Sequence, residues 1–149
     1  LITSQNQGDV KFSLIPLLKK TFNLEKPMKV IVVTNSWDKA KARILVEVIS
    51  NVHGVDCALW DHSRYLDNEH QLKASQAVIS VGGPLSNNVT REFQSVVRVV
   101  YEDDDISIEM ASNKAIVYDK GWFGINTEKA VRRFINYHLD GFLKSLKSQ

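Results

Sequence analysis

A carboxylate one or two turns into a helix can attack or stabilise a developing sugar cation. Glu92 is so placed: counted from a cap at Ser86, Asn87 or Asn88, it falls in the first or second turn of an expected helix. The helix macrodipole alone also favours acidic residues there, so position does not separate catalysis from stability. A second acid or base, or hydrogen bonds to ribose hydroxyls, would come from Asp61, His62, Asp67 and Glu69. An acidic residue after the second strand is a frequent ribose partner in nucleotide-binding folds, although solvated loop charge explains these residues as simply. Trp122 and Phe123 lie between glycines, where they either stack on a base and form a lid or fold inward to plug the sheet edge.

Other candidates are weaker. His62 and His70 lack the spacing of a metal site, and a single cysteine argues against a zinc cluster. The acidic run 102–105 reads as an exposed connection before it reads as a divalent-cation site. His138 sits on an apolar stripe and is expected to be a satisfied core or edge histidine. Cys57, in an expected strand, reads as a small core residue and not a nucleophile. The dinucleotide pattern G-x-G-x-x-G, the phosphate loop G-x-x-x-x-G-K-[ST] and the G-x-S-x-G elbow are all absent.

The elements that must position these groups alternate in type. Residues 28–34, 55–60, 77–81 and 114–118 are short apolar runs expected as strands, and 106–110 alternates in character. Helical spacing predicts helices from a cap at Ser13 through Phe22, over 37–51 ending at Gly54, over 89–100, and from Asn126 or Thr127 through Leu143. A shorter helix is expected around 65–75. This alternation predicts one domain over 1–149, with 1–9 polar and frayed. Its fold is expected to be a three-layer, flavodoxin-like (Rossmann-like) α/β arrangement with a mainly parallel sheet of about five strands.

In such a sheet, ligand sites are built from the loops at the carboxyl ends of the strands. The stretch 80–93 is the most suggestive: a strand, then Gly82-Gly83-Pro84, then Ser86, Asn87 and Asn88 as candidate caps of the next helix. Glycines allow positive φ and close backbone approach, proline stops the strand, and free N–H groups at a helix start attract anions. Gly82, Gly83, Ser86, Asn87 and Asn88 are therefore the expected donors. Thr34, Asn35 and Ser36 line the neighbouring loop, and Asp61 or Trp122 meets a sugar or base. The same junction is equally well explained as a tight turn capped for stability.

With 149 residues, 44% hydrophobic and 24% charged, the chain is ordinary for a globular domain. A net charge of +2 without a basic stripe gives no support to nucleic-acid binding. No apolar run is long enough to span a bilayer. One cysteine leans towards a reducing, cytoplasmic setting, but the chain begins at Leu1 and not Met, which weakens arguments from missing targeting signals. Self-association into a homo-oligomer stays open.

Two resemblances meet at the glycine–proline junction. Val81-Gly82-Gly83-Pro84-Leu85-Ser86-Asn87-Asn88-Val89-Thr90, followed later by Gly124 and Thr127-Glu128-Lys129-Ala130-Val131, resembles archaeal S-layer-type and related domains. That likeness implies a fold, and a structural or assembly module without a small ligand. Asn88-Val89-Thr90-Arg91-Glu92-Phe93 resembles the catalytic segment of TIR-like and nucleoside deoxyribosyltransferase-like domains. That likeness implies that Glu92 cleaves a glycosidic bond of NAD or a nucleoside. The leading expectation from the residues is binding of a nucleotide-like or other anionic small ligand at the carboxyl rim, as a sensor or regulatory domain. NAD or a nucleotide is the candidate ligand, and no cofactor is assigned.

Overall fold

A computed structural model describes residues 29–147. The polar stretch 1–9, the expected 13–22 helix and the first residue of the expected 28–34 strand lie outside the described residues. The elements run β1 (Lys29–Thr34), α1 (Lys39–Asn51), β2 (Asp56–Asp61) and α2 (His62–Asn68), extended by a 3-10 turn at Glu69–Gln71. Then follow β3 (Ala77–Val81), α3 (Asn88–Phe93), β4 (Arg98–Glu102), β5 (Ile106–Met110), β6 (Lys114–Asp119), α4 (Thr127–Tyr137) and α5 (Leu139–Lys147).

The strands form one sheet in the order β2-β1-β3-β6-β5-β4. The first four are parallel, whereas β5 runs antiparallel to both β6 and β4. The α/β class is as expected, but the sheet has six strands and an antiparallel hairpin at one side. Alternation along the strands sends Val30, Val32, Ile79, Val81 and Val117 to one face and Ile31, Val33, Val78 and Ile116 to the other. The first face packs against Leu45 and Ile49 of α1, Phe134 of α4 and Phe142 of α5. The second packs against Tyr65 of α2 and Val89 and Phe93 of α3. Because both faces are covered, β1 and β3 are nearly continuous apolar runs.

Two expected helices differ. The periodic stripe over 89–100 ends as a helix at Phe93, and Val96 is 59% exposed instead of facing the core. Valine loses side-chain freedom in a helix and fits a pleated surface, so the Val97-to-Tyr101 segment enters edge strand β4. The pairing of β4 with β5 shifts register between Val99 and Tyr101. The final helix breaks at His138 (φ −129°, ψ −30°), and α5 starts at the next residue. His138 stacks on Phe134, but its buried Nε2 has no hydrogen-bond partner among the described residues, so it is not the satisfied histidine expected.

The end of β3 is held by two buried side chains. Asn87 Nδ2 donates to the Val81 carbonyl at 2.8 Å, while its Oδ1 accepts from Val89 N at 2.9 Å and Thr90 N at 3.2 Å. Thr90 Oγ1 donates to the Gly82 carbonyl at 2.7 Å. Having spent its one proton, Thr90 accepts from Ser80 Oγ at 2.7 Å. Asn87 is therefore both the cap of α3 and the clamp on β3. Asn87→Ala removes three buried hydrogen bonds at once and is expected to cost about 2–4 kcal/mol in urea denaturation. Asn87→Asp, which keeps the cap acceptor but sets a buried carboxylate oxygen against the Val81 carbonyl, is expected to cost at least as much.

Candidate functional site

The carboxyl ends of β1, β3 and β6 meet on one rim. Between β1 and β3, where the strand order reverses, the crevice is filled from within. Asn35 is buried there, donating through Nδ2 to Ser86 Oγ at 2.9 Å and accepting through Oδ1 from Asp38 N at 2.7 Å. A pocket of about 670 Å³ opens one strand further along, between the loops that follow β3 and β6. That volume is in the range of small-molecule sites. Gly83, Pro84, Leu85 and Ser86 form one wall, the Tyr118-to-Gly124 segment forms the other, and Trp37, Asp38 and Thr127 close it.

Asp38 is the unusual member. It stands at the N-cap position of α1, yet its side chain makes no capping hydrogen bond. The residue is 3% exposed, and Oδ1 has no hydrogen-bond partner among the described residues. Two glycines make room for this carboxylate. Gly82 has φ +114°, and a Cβ there would lie 2.5 Å from Asn35 Nδ2 and 2.9 Å from Asp38 Oδ2. Gly124 has φ +67°, and a Cβ there would lie 3.0 Å from Asp38 Oδ1. Both positions have a backbone conformation that L side chains rarely adopt; the contacts at Gly82 are also too short for a methyl group, and the one at Gly124 is tight.

Asp119 shapes the second wall. Its Oδ1 accepts from Gly121 N at 2.7 Å and its Oδ2 from Asn126 N at 2.8 Å, so one carboxylate folds the loop back on itself. That fold leaves Trp122 and Phe123 85% and 86% exposed at the pocket mouth, and Trp37 is 81% exposed across from them. These rings therefore do not plug the sheet edge. Lys120 also lines the pocket, but its ammonium is engaged by Glu102 at 2.8 Å and by the Asp103 carbonyl at 2.8 Å.

Of the expected ligand contacts, Gly83, Ser86 and Trp122 line this pocket, whereas Thr34, Asn35, Ser36, Asp61, Gly82, Asn87 and Asn88 do not. Thr34 is buried and donates to the Asn35 carbonyl. Asp61 caps α2 by accepting from Ser63 N at 3.0 Å. Gly83 lacks positive φ, unlike Gly82. The amides of the junction are largely taken up inside the protein. Gly82 N donates to the Val117 carbonyl, Ser86 N and Asn87 N to the Gly83 carbonyl, and Asn88 N to His62 Nδ1. With Val89 N and Thr90 N on Asn87, few donors remain for an anion.

Asp38, Asp119 and Tyr118 are pocket residues that the sequence reading did not single out. Asp38 was nevertheless signalled, as an aspartate immediately before a helical apolar stripe on a carboxyl-edge loop.

Glu92 lies elsewhere. It borders a second hollow of about 330 Å³ with Glu69, Tyr65, Lys73 and Lys114, and is not a rim-pocket residue. Much of the side chain is exposed, but partial withdrawal from water, then a hydrogen bond and charge repulsion from Glu69, push its pKa up to about 7. Cys57 is pushed up to about 12 by burial and by Asp56, which makes it a poor nucleophile at neutral pH. The acidic turn is internally spent: Asp103 Oδ1 accepts from Asp105 N and Ile106 N, and Lys120 and Lys129 pair with its carboxylates. Among the described residues, no group of three or more His, Cys, Asp or Glu side chains could hold a metal ion. No helix of the described residues is long and apolar enough to cross a membrane.

Comparison of the chain with protein-family models, with curated proteins and with solved structures returned no match.

A carboxyl with a raised folded pKa holds its proton more tightly in the folded state than in the unfolded one. The stability it contributes is present below the ordinary carboxyl range and is lost as pH rises through about 7. Glu92→Gln, a fixed mimic of the protonated form, is therefore expected to raise Tm at pH 8 and to leave it nearly unchanged at pH 4. A Tm difference independent of pH would show that Glu92 and Glu69 do not interact.

Proposed function

We propose that this domain binds a small organic ligand in the rim pocket between the loops after β3 and β6, as a sensor or regulatory site. One observation carries the reading: an open pocket walled by exposed aromatic and apolar side chains borders Asp38, whose buried Oδ1 has no donor among the described residues. The ligand would supply that donor to Asp38 and lay a flat or apolar face on Trp37, Trp122 or Phe123. A nucleoside meets this description through its ribose and base. A phosphate does not gain from it, because Asp38 and Asp119 are negative and the junction amides are already bonded. The flavodoxin-like description of the fold is part of the same proposal, supported by the order β2-β1-β3 and its reversal at β1. An open rim also favours a ligand over a purely structural or assembly module, which would have its rim filled by side chains.

A screen by thermal shift and calorimetry would use nucleosides, NAD, sugar phosphates, neutral sugars and organic amines. At least one class is expected to bind, with phosphorylated compounds no tighter than their phosphate-free parents. Trp122→Ala should weaken that binding about tenfold, the scale of one lost stacking contact. Binding that tolerates Trp37→Ala, Trp122→Ala and Phe123→Ala alike, or no binding by any class, sinks the proposal.

Hydrolysis of the glycosidic bond of NAD or a nucleoside by Glu92 is a second reading, favoured by one feature, the raised carboxyl beside Glu69. Its site would be the second hollow and not the rim, so the two readings separate. Turnover of NAD or nucleosides by the parent that disappears in Glu92→Gln supports it, and equal near-zero turnover in both ends it.

A further inference from the structure

Resting on the rim-pocket reading, we infer that the group received at Asp38 is an organic cation, an alkylammonium held between the carboxylate and the neighbouring aromatic faces. Asp38 is 3% exposed, and its Oδ1 meets no donor among the described residues. A neutral hydroxyl would satisfy one lone pair of that oxygen but leave a buried negative charge uncompensated, which is costly away from water. A protonated primary amine answers both demands, and a quaternary ammonium answers the charge.

Among the described residues, no cation in the pocket wall does so already. Lys120 is committed to Glu102 and the Asp103 carbonyl, while Asp119 adds a second carboxylate whose oxygens are used on backbone amides. The pocket is therefore electrically negative at its lining. Trp37, Trp122 and Phe123 are exposed rings of its lining, and the quadrupole of such rings attracts cations to their faces. Thus the carboxylate and the rings select the same sign of charge. The cation has two sources with one chemistry, a free quaternary or primary amine and the side chain of a lysine in a polypeptide.

The test follows tryptophan fluorescence and calorimetric binding of choline and of Nα-acetyl-lysine amide, each beside its uncharged isostere, 3,3-dimethyl-1-butanol and Nα-acetyl-2-aminoheptanamide. Expected is saturable binding of at least one cation, about tenfold or more tighter than its isostere. Which cation binds identifies the source. Asp38→Asn, checked for folding by circular dichroism, should reduce the preference about threefold or more, the rings keeping the remainder. Trp122→Ala, on the exposed loop, should weaken the cation and gives an independent readout if Asp38→Asn does not fold. Equal binding of cation and isostere, or a preference undiminished in Asp38→Asn, overturns the inference. So does binding of a neutral sugar or nucleoside with no response to either cation, an outcome that leaves the rim-pocket reading intact. No response to any compound overturns both.

Discussion

The organisation of the rim depends on how β3 is stopped. A strand that ends among buried neighbours must find partners for its last carbonyls, and here Asn87 and Thr90 supply them to Val81 and Gly82. The same two residues start α3, so the end of the strand and the beginning of the helix are one hydrogen-bonded unit. Gly82 N then bonds to the Val117 carbonyl, which ties that unit to β6. Once these loops are fixed against each other, the space between them becomes a pocket and not a mobile gap. Gly82 also has to pass so close to Asn35 and Asp38 that no Cβ fits. A fold requirement and the room for the Asp38 carboxylate are therefore met by the same atom, or rather by its absence.

Among the described residues, the layers on the two faces are unequal. One face is covered by three helices, α1, α4 and α5, which carry the largest buried side chains, Phe134 and Phe142. The other is covered by α2 and α3, each of two turns or fewer, reinforced by the Trp60–Tyr65–Phe93 aromatic contacts. The second hollow, with Glu92 and Glu69, lies on this thinner side. A carboxyl pair held partly out of water is more easily tolerated where the cover is short and solvent is near than beneath the thicker layer.

Much of this was readable in the chain, and the failures have physical causes. The apolar runs of β1 and β3 and the broad stripe of α4 are set by burial, which periodicity reports directly. The 89–100 segment misled because valines at helical spacing also alternate well enough for a strand, and Arg98–Glu102 was decided by its pairing with β5, a non-local contact. At the site, loop positions were legible but hydrogen-bond allocation was not. Gly82-to-Asn88 looks like an anion cradle in sequence, since nothing local reveals that Val117, Gly83 and His62 already take its amides. Asp38 was overlooked for the converse reason. An aspartate at a helix start is expected to cap it, and only the three-dimensional packing shows that its side chain does not.

The register shift in β4 bears on how the domain lives beside copies of itself. β4 is an edge strand, and Val99 and Val100, with Val96 just before it, are exposed. A flat, apolar edge of that kind would template further strands and grow into aggregates. The shift between Val99 and Tyr101 interrupts the even spacing of backbone donors and acceptors, while Arg98 and Glu102 put charge at the two ends. Arg133 clamps the inner side of the strand, with its guanidinium 3.7 Å from the Tyr101 ring and 4.3 Å from the Tyr137 ring. The edge richest in exposed valine is thus also the one on which a seventh strand finds no continuous ladder to follow.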